Sequence, residues 1–254
     1  MPLVLHQFRA SHFNDKVRWA LAYKQLPHRR ISYLPGPHQA AIRKLSGQTS
    51  TPVVAVGNEV VAGSARIIDM LERRFPQRLL YPDEPALRAS ALAIQDRFDT
   101  HVGPATRTVV FSILVRELGY VARLFAHDEP LPKRMAYRTV LPAVRPLIAK
   151  ANGVTPKNVA RSFDEVERAL DWVAQSTLQR DALVGDRFSV ADLTVAAMLA
   201  PIVSLEHPDM QQRPPVPSAL TELLSRWQDH AAVRWVQKQY REHRPADAVV
   251  RVAQ

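Results

Sequence analysis

The chain has 254 residues, 46% of them hydrophobic and 23% charged, a balance that fits a folded globular protein and leaves room for two ordinary domains. It contains no cysteine, which excludes disulfides, thiolate metal sites and any mechanism in which the protein supplies its own sulfur nucleophile. The net charge of +10 comes from scattered basic residues, with Arg29-Arg30 and Arg73-Arg74 nearest to clusters. The stripes of a nucleic-acid binder are missing, and either a solvated surface or a field that attracts small anions accounts for the excess.

The opening MPLVLHQF has no charged segment with an apolar core behind it, so no secretion signal is expected there. Leu3-Val4-Leu5 begins a short strand ending near Phe8. A helix follows, with Val17, Leu21 and Lys24 at helical spacing, and Arg30 to Tyr33 alternates as a half-buried strand does. After an intervening segment, Pro52 to Val56 and Glu59 to Val61 flank Gly57-Asn58 and predict a hairpin. Ser64 is placed to cap a helix carrying Ile67, Ile68 and Leu71 on one face and ending near Arg74. The order βαβ, then ββα, predicts an α/β unit.

Residues 76–85, with three prolines and no helical period, read as a linker. Beyond them only helices are predicted. Leu87, Ala91, Ile94 and Phe98 mark a long one that Gly103-Pro104 should kink or break. Others are expected near 105–125, 133–150, 156–177, 189–200, 218–229 and 231–242. The longest nearly apolar stretch, Leu193 to Leu205, is short and interrupted by Pro201, so no membrane span is expected. The connection over 206–217 is rich in proline and has no assigned role.

Four segments carry more information, each with a plain structural alternative. Thr51-Pro52 enters the hairpin; its bond is either trans, an ordinary edge proline, or cis, with the Thr51 main chain turned outward to pair with a peptide-like ligand. In Ala62-Gly63-Ser64, the hydroxyl and first helix amides form either a plain cap or a carboxylate site. Ser11, opening the first helix, is likewise either a cap or a hydroxyl offered to a ligand. Ser189 with Asp192 three residues later, flanked by Phe188 and Leu193, has the pattern of a capping box and hydrophobic staple. The histidines are dispersed without metal-ligand spacing, so no metal is expected.

Taken in this order, the segments resemble the cytosolic glutathione transferase superfamily, and the resemblance covers nearly the whole chain. It rests on four features. Ser46-Gly47-Gln48-Thr49-Ser50-Thr51-Pro52-Val53-Val54 is similar to that family's cis-proline region, and Gly63-Ser64 with Arg66-Ile67-Ile68 to the end of its glutathione site. The other two are Ser189 to Leu193, as its capping-box helix, and the position of the linker.

The resemblance implies an α/β thioredoxin-like N-terminal domain over 1–78 followed by an all-α helical-bundle domain over 86–254, joined at about 76–85. Glutathione is then a cosubstrate, with no metal. The backbone of Thr51 beside Pro52 would hold its cysteinyl part, and Gly63 and Ser64 its γ-glutamyl end. Ser11 would be the catalytic residue that stabilises the thiolate, with Asn14 as an alternative thiol donor. His12, His38 and Thr49 are further candidates for the glycyl carboxylate or the cleft.

Gln7 stands where some classes place a tyrosine, and the absence of cysteine excludes classes that use one. Gly63 replaces the usual acidic or amide side chain. The implied function is conjugation of the glutathione thiolate to small electrophiles, a detoxifying role, by a cytoplasmic homodimer without nucleic-acid or membrane partners. The electrophile would lie against Arg9 to Phe13 and the helices from Phe98 to Phe111, Arg107 included. The alternative is a non-catalytic binding or scaffolding protein that kept the fold, which Gly63 favours.

Overall fold

A computed structural model describes residues 3–245. The predicted helical domain runs to 254, and 246–254 lie outside the described residues. The N-terminal unit is a four-stranded mixed sheet in the order β2-β1-β3-β4. Strand β1 (Leu3–Gln7) pairs in parallel with β2 (His28–Ser32) and antiparallel with β3 (Val53–Val56), which forms the hairpin with β4 (Glu59–Ala62). Gly57, at φ 61°, supplies the left-handed residue of that turn. The crossover between the parallel strands is α1 (His12–Tyr23), as such a connection demands.

The intervening segment contains α2 (His38–Ser46), a helix absent from the sequence reading. Only His38 and Ile42 of it are buried, so no apolar stripe announces it, and Pro35, Gly36 and Pro37 precede it. Helix α3 spans Ser64–Arg74. Its cap is Gly63, not Ser64: glycine at φ 93° turns β4 into the helix one residue early, and Gly63 O accepts from Ile67 N at 2.9 Å.

Residues 75–84 hold no helix or strand, yet they are fixed. Lys24 Nζ donates to the carbonyls of Phe75 at 2.8 Å and Gln77 at 3.1 Å, while Glu72 Oε2 accepts from Leu80 N at 3.0 Å and Tyr81 N at 2.9 Å. Lys24 also sits 2.8 Å from Glu72 Oε1, an ion pair off the angle of a hydrogen bond.

All remaining regular structure among the described residues is helical: α4 (Pro85–Arg97), α5 (Gly103–Leu114), α6 (Leu118–Ala126), α7 (Leu131–Ala151), α8 (Pro156–Ser176), α9 (Val190–Leu199), α10 (Ser218–Ser225) and α11 (Ala231–His243). Gly103-Pro104 does not break the chain. The helix widens over Phe98–Val102 into a π turn and continues into α5, the widened turn preceding Pro104, which has no amide to donate to it. The single helix expected over 105–125 is two, separated at 115–117. Every residue of α9 is buried, as its near-continuous apolar sequence requires. Its start carries the capping box, with Ser189 N donating to Asp192 Oδ2 at 2.8 Å and Ala191 N to Ser189 Oγ at 3.2 Å. Helix α1 packs on α3 within the first unit and on α9 of the second.

Candidate functional site

The two units meet at the first turn of α1. His12 Nε2 lies 3.1 Å from the carbonyl of Gly103, and Lys16 Nζ pairs with Asp99 Oδ2 at 2.6 Å. A methyl group on Gly103 would come within 2.6 Å of Met198 Sδ and 2.9 Å of Phe13 Cζ, so glycine permits this close approach. His12 is buried, and its pKa is pushed down to about 3, by burial first and then by the Arg107 guanidinium.

Ser11 stands at the cap position of α1 with extended φ and ψ of −149° and 124°. Its carbonyl accepts from Asp15 N at 2.8 Å, but its hydroxyl makes no capping bond. That hydroxyl is therefore available beside a cleft of about 1080 Å³ between the units, lined by Ser11, His12, Arg107, Phe111, Tyr120 and Met210 among others.

Thr51, Pro52, Gly63 and Ser64 are brought together, but none of them lines this cleft. The Thr51–Pro52 peptide is cis, and Pro52 O accepts from Gly63 N at 3.0 Å, which ties the start of β3 to the residue before α3. Ser64 is buried at 7% exposure, and its hydroxyl has no hydrogen-bond partner among the described residues. A side chain added at Gly63 would meet no atom within 4 Å. An open space, an unengaged hydroxyl and the free amides of the first turn of α3 thus adjoin one another, a donor set that suits a carboxylate. Asn14, fully buried one turn along from Ser11, links the groups: its Nδ2 donates to Thr51 Oγ1 at 3.2 Å.

His38 and Thr49 are also neighbours. The His38 ring accepts at Nδ1 from Gly36 N at 3.1 Å and meets Phe8 edge-on at 4.6 Å, and burial lowers its pKa while the nearby Thr49 backbone works the other way. Gln7 is engaged within the fold, accepting from Arg18 Nη1 at 2.9 Å. Phe98 is fully buried against Trp172 and does not face the cleft.

The sequence reading did not place the 206–217 connection here. Pro208 to Arg213 line the cleft, held by Asp209, whose carboxylate meets Arg30 at 2.9 Å, Arg244 at 2.9 Å and Arg18 at 3.3 Å. Asp15 completes the cluster, pairing with Arg18 at 3.2 Å and Arg244 at 3.3 Å and accepting from Tyr240 Oη at 2.6 Å. Burial works against its charge, but Arg244 and Arg18 hold its pKa below the ordinary value. Partners two hundred residues apart leave no local signal. Among the described residues no group of three or more His, Asp or Glu forms a metal site, and no helix is long and apolar enough to cross a membrane.

Residues 5–79 match the family model of the glutathione S-transferase N-terminal domain. A probable maleylacetoacetate isomerase of Caenorhabditis elegans is 27% identical over 120 residues, 46% of this chain and only 56% of that protein's length. A glutathione S-transferase from Rhodospirillum rubrum F11 shares the fold with a TM-score of 0.65 at 18% identity, covering 94% of this chain and 87% of its own. One from Methylobacillus flagellatus, solved with glutathione bound, has a TM-score of 0.63 at 15% identity, covering 94% and 95%. The β-etherase LigF from Sphingobium has a TM-score of 0.61 at 20% identity, covering 94% and 100%.

Proposed function

We propose that this chain, whose residues 5–79 match the glutathione S-transferase N-terminal domain, is a member of the glutathione transferase superfamily that joins the thiol sulfur of glutathione to small electrophiles, with Ser11 as the catalytic hydroxyl. The observation that carries this reading is the Ser11 side chain itself, which sits at a cap position without capping and lines the cleft between the units.

The remaining roles follow from the donors present. Ser64 and the first amides of α3 receive the γ-glutamyl carboxylate, assisted by the positive end of the helix dipole. The main chain of Thr51 pairs with the cysteinyl unit, and Asn14 positions it through the Thr51 hydroxyl. Because the Asn14 amide is committed there in a fully buried position, Ser11 is preferred over it as the group that meets sulfur. His38 and Thr49 brace the loop before Pro52 and border the glycyl end, and His12 joins the units at the edge of the cleft. The bound tripeptide supplies the nucleophile. With an aryl halide, a carbon–sulfur bond forms, the carbon–halogen bond breaks, the halide leaves with its electron pair and the thiol proton passes to solvent.

Ser11 acts by donating its hydroxyl hydrogen to the anionic sulfur, which favours the thiolate over the thiol. One hydrogen bond to a charged atom contributes roughly 1.5–3 kcal/mol, or about 10- to 100-fold in rate. The same reading divides the chain into domains at 1–78 and 86–254 and carries a cytoplasmic homodimer acting in detoxification.

Glutathione-dependent turnover of a chlorodinitrobenzene by the full chain and by Ser11→Ala tests it. The variant is expected to lose roughly 10- to 100-fold in kcat/KM, with the pH profile displaced upward toward the free thiol value near ~8.5. Gly63, which lacks the acidic or amide side chain expected there, supports the second reading, a binding protein without catalysis. Glutathione binding with no turnover of any electrophile, or turnover unchanged in Ser11→Ala, decides for that reading.

A further inference from the structure

The walls of the cleft carry seven basic side chains against three carboxylates, and their pairing shows where the excess lies. Arg9 meets Asp128 at 2.7 Å, Lys133 meets Glu129 at 2.8 Å, and Arg18 and Arg30 share Asp209. None of the remaining three has an ion pair or a side-chain hydrogen bond among the described residues; Arg29 is exposed, and Arg213, half-buried, lies near His127, whose pKa it helps to lower. Arg107, also half-buried, differs from both in that its Nε is shut off from solvent with no partner.

Its place on α5 gives this charge a direction. Arg107 follows Gly103 by one helical turn, about 6 Å along the helix backbone, and Gly103 O is the atom that His12 touches, so Arg107 springs from the turn of α5 next to the Ser11–His12 contact. Val110, Phe111 and Leu114, at i+3, i+4 and i+7 from Arg107, line the same cleft and make an apolar strip that continues from it. The electrostatic effect of Arg107 on His12 reports the same proximity. Burying a guanidinium without a partner is costly, and a planar fork of N–H groups is matched by a carboxylate.

Resting on the transferase reading above, we infer that the acceptor is a carboxylate-bearing electrophile, with Arg107 gripping the carboxylate while the apolar strip of α5 covers the reactive carbon skeleton. On that reading the γ-glutamyl carboxylate of glutathione goes to donors at Ser64 and the first turn of α3, and its glycyl end borders His38 and Thr49, none of which lines this cleft, whereas Arg107 stands on its wall in the helical unit. The anchor thus discriminates between acceptors rather than holding the cosubstrate.

The test uses two matched pairs of probes. Dinitrobenzoate and dinitrobenzene do not react, and their binding to the glutathione-saturated full chain is read by calorimetry. Chlorodinitrobenzoate, with chlorine para to the carboxylate and flanked by the nitro groups, and chlorodinitrobenzene report turnover. In both, a carbon–sulfur bond forms as chloride leaves.

The wild type is expected to bind dinitrobenzoate at least about tenfold more tightly than dinitrobenzene, Arg107→Gln to lose that ratio and Arg107→Lys to keep part of it. The kcat/KM ratio for the two chlorides is expected to fall in parallel, with thermal melts establishing that both variants fold. Equal binding of the two probes by the wild type overturns the inference. So does an unchanged ratio in Arg107→Gln, or a variant that loses glutathione rather than the benzoate. Turnover without preference for the anion sinks the anchor and leaves the transferase standing. Anion-selective binding lost in Arg107→Gln, with no turnover of either chloride, does the reverse.

Discussion

Asn14 Nδ2 donates to Thr51 Oγ1 at 3.2 Å, joining the first turn of α1 to the residue before the cis-proline. Asn14 is fully buried and its Oδ1 has no partner of its own, so the amide is held for what its nitrogen does. Removing it by Asn14→Ala is expected to cost about 1 kcal/mol of stability and to raise KM for glutathione several-fold with little change in kcat. Thr51→Val removes the same bond from the other side. Urea unfolding of both single variants and the double variant should give a coupling of about 1 kcal/mol. Additive losses would show that the two side chains act independently and that Asn14 positions nothing.

His12 makes stability depend on pH. Its folded pKa, about 3, lies below the ordinary imidazole value of 6.5, first because burial disfavours the cation and then because Arg107 repels it. Between those values the unfolded chain binds the extra proton and the folded chain does not. Its contribution is therefore complete above pH 6.5 and is lost as pH falls toward 3. His12→Gln keeps a donor for Gly103 O but cannot titrate. Its urea midpoint is expected to drop less than that of the wild type between pH ~7 and ~4.5. Equal drops would place the acid sensitivity elsewhere.

Much of this arrangement is legible in the sequence, and the parts that are not share a physical reason. The hairpin and the box at Ser189 are local patterns of a few residues, and they appear where expected. Helix α2 escapes because only two of its residues are buried. The cap of α3 falls on Gly63 because the turn is set by a positive φ, which the spacing of polar residues does not express. Asn14–Thr51, His12–Gly103 and the Asp209 cluster bring together residues 35 to 191 positions apart, which no periodicity records. Arg107 could be seen as a base on a helix; its lack of a partner is a property of the folded molecule alone.

Lys24 and Glu72 should govern how firmly the two units are joined. Both side chains are at most 5% exposed, and together they satisfy amides and carbonyls from Phe75 to Tyr81. Lys24→Met leaves a buried carboxylate and several carbonyls without their cation, a loss of roughly 3–5 kcal/mol. Glu72→Gln keeps an acceptor for Leu80 and Tyr81 and is expected to cost less. Urea unfolding with the same ordering reversed, or both losses under about 0.5 kcal/mol, would mean the segment is held by Leu80 packing instead.

Asp209 connects fold and cleft most directly, because it lies on the connection that forms one wall while its carboxylate is held by residues of both units. Arg18 and Arg244, which it contacts, have side chains at most 1% exposed, so Asp209→Asn leaves two buried guanidiniums with less compensation. The expected loss is roughly 3 kcal/mol in urea unfolding. A stability effect alone would not distinguish a wall from a strut, so the kinetic split matters. With Pro208 to Arg213 loosened, KM for the electrophile should rise about tenfold while KM for glutathione, whose proposed site at Ser64 is not part of this cleft, stays within about twofold. A parallel rise in both constants would place the influence of Asp209 in the α/β unit, through Arg18 and Arg30, rather than in the wall that faces the acceptor.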